Sequence, residues 1–531
     1  MRKALLVLHM LYKYWQAIYT IKIKKGTAKM KPHICGQAAL LTALLLSASF
    51  TLPSCQDSDV QKDTPNTSQA ETAASTETAE NLPQYENDNL PADLDFGGTT
   101  AHIFGWSGSS SNEFYVEEET GDIVNDAIFH RNRTAEERLN LKLTYTLEPG
   151  AYNERNAWVK MVTQSTMAGD GANDIVAGYS MCGATLAYNR LLLDLTKQEY
   201  IDFSKPWWPD SLIKEALCDG KLFFCSGDIS TNMINYLYAL YFNKTMAQSF
   251  DIDPTALYDM VRRGEWTLDQ LITLSQGVYM DLNGNNQKDI EDRFGYTVQS
   301  VWSDTFFFAS GLRTTEIGAD GMPIISPMFG SEKTQTLLEK LNSMFNDSND
   351  MYFSNEAGEE VRRQFLEGRA MFITTEIVFA NTHLRSSDID YGILPVPKYD
   401  TEQADYYTVA SFPYTLYGIP VDAKDPKMSA ALLECLASES YRTVSPALFE
   451  TALKVKYASD NDVSEMYDII RNSAVFDIGR IFNDSMQGKT YSMFRSCLIG
   501  KNSNWISTYA KEEKALLKMF DRVITSITAE E

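Results

Sequence analysis

The chain has 531 residues, carries 47 Lys and Arg against 71 Asp and Glu, and is 12% aromatic. A formal net charge of −24 repels nucleic acid and anionic headgroups, which argues against a phosphate-binding protein and suits a neutral ligand. None of the seven cysteines is in C-x-x-C spacing, so neither a zinc site nor a disulfide framework is expected.

Ala38 to Leu46 is an apolar core with Lys31 ahead of it and small, turn-forming residues from Ser47 to Ser54 behind it, which is signal-peptide anatomy. At ~1.5 Å per residue such a run cannot cross a ~30 Å hydrocarbon core, and no later stretch reaches the apolar length of a span. Leu52-Pro53-Ser54-Cys55 resembles the lipobox of a bacterial lipoprotein. That resemblance implies that residues 1–54 are a leader and that Cys55 becomes the first mature residue and carries the acyl chains. It also implies an extracytoplasmic protein, anchored to the bacterial cell membrane by that lipid alone. Met30 directly precedes Lys31, so translation is expected to begin there, the alternative being a genuine extension over residues 1–29. Taking the eight basic residues of 1–54 from the total of 47 leaves 39 against 71 acidic, a net charge of −32.

Residues 56–95 are rich in Ser, Thr, Asp, Glu, Asn and Pro with almost no large apolar side chains, so 55–97 reads as a lipidated cysteine and a disordered tether. About 435 residues follow, too many for one core at typical domain sizes, and two lobes are expected. From Ala101 strands at 101–106, 141–145 and 174–177 alternate with helical periodicity, the signature of a parallel sheet covered by helices. A hairpin turns at Asp219-Gly220, flanked by Cys218 and Cys225. The preferred reading of all five cysteines after Cys55 is as small buried hydrophobes, the alternative being that Cys218 and Cys225 pair. A strand at 237–242 leads into a helix, Thr267 to Gln270 is a capping box, and helices at 333–345 and 359–366 alternate with strands at 370–374 and 391–396. The C-terminal third is mostly helical.

Six short motifs then occur in order: Trp106 after the first strand, Asn173-Asp174-Ile175, Tyr241-Phe242-Asn243-Lys244, Gly264-Glu265-Trp266-Thr267, Phe365 to Met371, and Asp390 to Pro397. Over about residues 99–525 they resemble an extracellular solute-binding protein of the sugar-binding type (family 1), the receptor of an ABC importer. The resemblance implies an α/β, two-lobed fold of the periplasmic-binding-protein type II kind, with a hinge and an interlobe ligand cleft. Lobe one would be 98–234 plus 412–446, and lobe two 235–411 plus 447–531. The implied partners are a carbohydrate, expected to be an oligosaccharide, and ABC permease subunits, with the receptor itself a monomer.

Sugars present apolar faces and a rim of hydroxyls, so a cleft for them needs aromatic platforms and a few polar groups at the edge. Following strand ends into the expected cleft selects Trp106, Tyr179 and Tyr236, joined by Trp302, Glu376 and Phe379. For each aromatic, ordinary core packing is an equal alternative. Glu376, an acid directly after a buried strand, needs either a ligand or a partner, and the cleft is the preferred place. On this reading Trp106→Ala weakens ligand binding with little change in melting.

Residues 281–292 place oxygen donors as a calcium loop of the EF-hand kind does: Asp281, Asn283, Asn285, the carbonyl of Gln287, Asp289 and Asp292. Asn286 stands where that loop usually has Gly, and Asp292 where it has Glu. A structural Ca²⁺ is expected, against the alternative of a polar, Asn-rich turn. Beyond the leader only His102, His130 and His383 remain, dispersed and without H-E-x-x-H, so no catalyst is expected. A secreted carbohydrate-active enzyme is the second reading, because acidic residues are abundant; a surface binding protein that transports nothing is the third.

Overall fold

The computed structural model describes residues 85–108, 113–449 and 461–529. These fall within one compact unit, Asn81–Glu531; the other, Met1–Glu80, holds the leader, Met30 and Cys55, which lie outside the described residues.

Strands β1 (Thr99–Ser107), β2 (Leu141–Pro149) and β3 (Ile175–Tyr179) alternate with helices Ile123–Leu139 and Arg155–Ala168, as the sequence pattern predicts. Next come β4 (Tyr238–Asn243), β5 (Phe294–Gln299), the small hairpin of β6 (Thr315–Ile317) and β7 (Pro323–Ile325), and β8 (Met351–Ser354). β9 (Ala370–Glu376) and β10 (Tyr391–Leu394) follow, then β11 (Thr408–Val409), β12 (Thr415–Gly418) and β13 (Ala474–Val475). Local chemistry sets the helix starts. The Asp122 side chain accepts from the N–H groups of Val124 and Asn125, and Asp253 caps a helix whose first residue is Pro254. The predicted cap at Thr267 is formed, its hydroxyl accepting from Gln270 N at 3.4 Å.

Two sheets carry the two lobes. Lobe one has the order β12-β3-β1-β2, and lobe two β10-β4-β9-β5-β8. The expected parallel arrangement holds for β1, β2 and β3 but not throughout, since β12 runs antiparallel to β3, and β4 antiparallel to β9 and β10. A parallel neighbour needs a crossover within its own lobe. β4 and β12 instead arrive from the opposite lobe, through 226–237 and 410–414, and so enter from the other end.

Those two passages lie side by side. Leu237 and Ala410 form a β-bridge, Ser411 N donates to the Tyr236 carbonyl at 2.7 Å, and the Tyr238 hydroxyl meets Ser411 Oγ at 3.2 Å. The last helix, Trp505–Thr528, spans both lobes: Trp505 Nε1 donates to the Phe329 carbonyl at 2.6 Å, and Ser526 Oγ to that of Tyr188 at 2.6 Å.

One expectation is corrected. Residues 85–97, assigned to the tether, pack on lobe one: Asp88 accepts a fork from Arg138 (2.5 and 2.7 Å) and a bond from Ser438 at 2.7 Å, and Tyr85 meets Tyr441 edge-on. Burial alone would raise the Asp88 carboxyl, but these partners more than offset it and hold it well below the usual carboxylate range. The five cysteines are free and buried, in line with the preferred reading, and the alternative pairing of Cys218 with Cys225 is not formed. Cys218 faces Lys221 across the Asp219-Gly220 turn, while Cys225 bridges to Tyr417. Among the described residues no helix is long and apolar enough to cross a membrane.

Candidate ligand cleft

The antiparallel strands decide where the sheets meet. The first residue of β12, Thr415, pairs with the last of β3, Tyr179, and the first of β4, Tyr238, pairs with the last of β9, Glu376. The carboxyl ends of β3 and β9 therefore lie beside the two passages, the place where a doubly wound sheet receives ligands.

The sequence-selected residues form two groups there. In lobe one the Trp106 and Tyr179 rings meet edge to face at 5.4 Å, and Trp106 Nε1 donates to Thr415 Oγ1 at 2.7 Å. Gly150 makes room for the Cβ of Trp106 and for the Trp158 ring, because a Cβ there would sit 2.8 Å from both Trp106 Cβ and Trp158 Cδ1. In lobe two Trp302, Glu376 and Phe379 gather around Arg362. Its guanidinium lies 5.0 Å from the Trp302 ring centre and 5.7 Å from that of Phe379, and it pairs with Glu376 at 2.6 Å. Tyr236 belongs to neither group and contributes its carbonyl to the pairing of the passages.

All six are buried. Phe379 packs against Tyr241 and Phe365. Glu376, which required a ligand or a partner, has its partner in Arg362 and accepts in addition from Thr375 Oγ1 at 3.0 Å. For Arg362, burial works against the charge, while Glu376 and Glu359 outweigh it and raise its pKa.

Sequence reasoning missed two charged residues, Arg362 inside the lobe-two group and Arg480 beside the passages. Arg362 sits on the helix Gly358–Leu366 three residues before buried Phe365, so helical phase was the available signal. Arg480 carries no such signal. It donates from Nε and Nη2 to the Ala410 carbonyl (3.3 and 3.0 Å), lies 4.0 Å from the Phe412 ring centre and 4.6 Å from that of Tyr491, and is 3.5 Å from Asp304. Arg495 reaches the same Asp304 oxygen at 2.8 Å. A cavity of about 900 Å³ lies elsewhere, between the end of the last helix and the turn at Asp219, and holds none of the six.

In the 281–292 loop, Asp281 accepts from Gly284 N at 2.6 Å and from Asn286 N at 2.8 Å, and Asn286 takes the left-handed conformation (φ 56°). The side chains of Asn283 and Asn285 converge on Asp289, at 3.2 and 2.6 Å, and Gln287 N donates to Asn285 Oδ1. Asn285 and the Glu291 N–H hold the Asp289 carboxyl below its ordinary range. Asp292 is buried and accepts from the N–H groups of Leu282 and Asp289. Among the described residues no three His, Cys, Asp or Glu side chains converge as a metal site, so an ion here would draw on the amide and carbonyl oxygens of Asn283, Asn285 and Gln287.

The fold is that of two-lobed binding proteins with a hinge between mixed α/β lobes. The chain superimposes on the cyclic α-maltosyl-1,6-maltose binding protein of Arthrobacter globiformis with a TM-score of 0.53 at 12% identity, covering 80% of this chain and 99% of that one. The GacH receptor of Streptomyces glaucescens, solved unliganded and with acarbose, gives 0.50 at 14% identity, covering 79% and 99%. A cyclo/maltodextrin-binding protein complexed with maltotetraose gives 0.50 at 14%, covering 82% and 99%. No family model and no curated protein matches the sequence.

Proposed function

We propose that this chain is the extracytoplasmic receptor of an ABC importer, that it binds a carbohydrate between its lobes, and that the acyl chains on Cys55 hold it at the membrane. The observation that carries the reading is the meeting of both strand ends at the passages, with Trp106 and Tyr179 on one side and Trp302, Glu376 and Arg362 on the other. Aromatic faces beside a few charged edge groups match the two surfaces of a sugar. The fold neighbours that bind acarbose, maltotetraose or a cyclic maltosyl-maltose support the same reading. Because the groups are buried, ligand entry requires the lobes to part, and closure then draws its free energy from contacts made only in the closed state.

Isothermal titration of the mature protein against a panel of neutral oligosaccharides is expected to give saturable, one-to-one binding without turnover. Release of reducing ends from any of them would favour a carbohydrate-active enzyme. Absence of saturable binding across the panel would favour a surface protein that transports nothing.

The 281–292 loop is assigned a structural Ca²⁺, held by Asp281, Asn283, Asn285, the Gln287 carbonyl, Asp289 and Asp292. A flexible ring of hard oxygens suits this ion, and Asn286 supplies the turn that Gly usually makes. Chelator is expected to lower the melting temperature of the wild type but not that of Asp281→Ala; equal responses of the two would dismiss the ion.

A further inference from the structure

We propose that Glu113 is the positioning residue of the cleft: through its one buried carboxylate it fixes the Trp106 ring and clasps both chain passages, so that ring position and lobe angle change together.

The network is fully buried. Glu113 is 1% exposed, and Thr415, Ser230, Asn232 and Trp106 are at 2% or less. Glu113 Oε2 accepts from Ser230 Oγ at 2.6 Å and from Asn232 N at 3.1 Å, both on the first passage. Its Oε1 accepts from Thr415 Oγ1, where the second passage enters β12. A hydroxyl has one proton. Having given it to Glu113, Thr415 Oγ1 can only accept from Trp106 Nε1, so the chain of bonds runs Trp106 to Thr415 to Glu113 in one direction. Thr415 N also donates to Ser230 Oγ at 3.4 Å, which links the passages directly at the same point. Arg131 holds the backbone on which Glu113 rides, donating from Nη2 to the carbonyls of Glu113 (3.1 Å) and Phe114 (2.8 Å).

The residue type matters here. A carboxylate accepts every one of these donors, whereas the amide of a glutamine of the same shape brings its own N–H groups against one of them. Burial raises the Glu113 carboxyl, and the bonds from Ser230, Thr415 and Asn232, with the nearby Arg131, work in the opposite direction. On the far side of the passages Arg480 performs the matching task, tying the Ala410 carbonyl to Asp304 of lobe two. Bending is thereby confined to the few residues between the two clasps, around 233–237 and 410–414.

The hinge part of this inference stands on the fold; only the meaning given to Trp106 rests on the receptor reading. The test uses the full mature chain without ligand. Nitroxide labels at Met167→Cys, on lobe one and 77% exposed, and Met328→Cys, on lobe two and 40% exposed, report the interlobe distance by pulsed EPR. ¹⁵N-indole spectra, with Trp106→Phe for assignment, report the Trp106 N–H. Glu113→Gln and Thr415→Val are expected to broaden the distance distribution and to move the Trp106 N–H away from its hydrogen-bonded position. Thr415→Ser is expected to restore both. If Glu113→Gln fails to fold, Thr415→Val and its serine rescue carry the test. Lowered melting with an unchanged distance distribution would overturn the proposal and leave Glu113 a purely structural residue. Because neither measurement uses a ligand, a wild type that binds no saccharide would sink the receptor reading while leaving this result readable.

Discussion

Trp106→Ala is expected to lower the free energy of unfolding by about 3–5 kcal/mol, the range for deleting a large aromatic from a packed site. The side chain is 2% exposed, its ring meets that of Tyr179 edge to face, and its N–H is bonded to Thr415. Removing it opens a cavity and takes away the donor that Thr415 accepts from. This replaces the sequence-based expectation that melting would hardly change. Trp106→Phe retains most of the packing and loses only the N–H, so its cost is about 1 kcal/mol. Urea unfolding of the three proteins decides the matter: an alanine variant as stable as the wild type would mean that Trp106 stands free in the cleft.

Asp304→Ala is expected to cost a similar amount, about 3–5 kcal/mol, for a different reason: it strands buried positive charge. Asp304 has no exposed side-chain surface, and Arg480 and Arg495 approach the same one of its oxygens. Arg480, 4% exposed, is enclosed by Phe412, Phe308 and Tyr491. Replacing Asp304 and the more deeply buried of its two arginines by apolar residues, Asp304→Leu with Arg480→Met, is expected to recover part of the loss, because it leaves only Arg495 unpaired and a buried ion pair gains little over well-packed hydrophobic side chains. Denaturant unfolding of the single and double variants closes the cycle. With Asp304→Leu and Arg480→Met as the single variants, a double variant that loses as much as the sum of the two single losses would show that the two charges are not favourably coupled and would overturn this expectation.

β1, β2 and β3 with their helices, the Thr267 cap and the Asp219-Gly220 turn were legible in the sequence because each depends on residues a few positions apart. The neighbour of Cys225 was not, since it bridges to Tyr417, far along the chain. Nor was the attachment of residues 85–97, which depends on Asp88 meeting Arg138 and Ser438 far along the chain. Glu376 shows the boundary clearly: burial after a strand called for a partner, and only folding revealed that Arg362 supplies it.

The sequence by itself determined the α/β alternation, the capacity for two lobes, the strand ends on which Trp106, Tyr179 and Glu376 sit, and the donor spacing of residues 281–292, because periodicity, turn chemistry and spacing are local properties. Only the tertiary structure decided that β4 and β12 enter their sheets from the opposite lobe, and therefore that both strand ends meet at the passages. It also decided that Glu113 joins the two passages, that Arg480 ties Ala410 to Asp304, and that Arg362 pairs with Glu376. A buried charge persists only where distant segments converge to satisfy it, and that convergence is not encoded in any short stretch of chain.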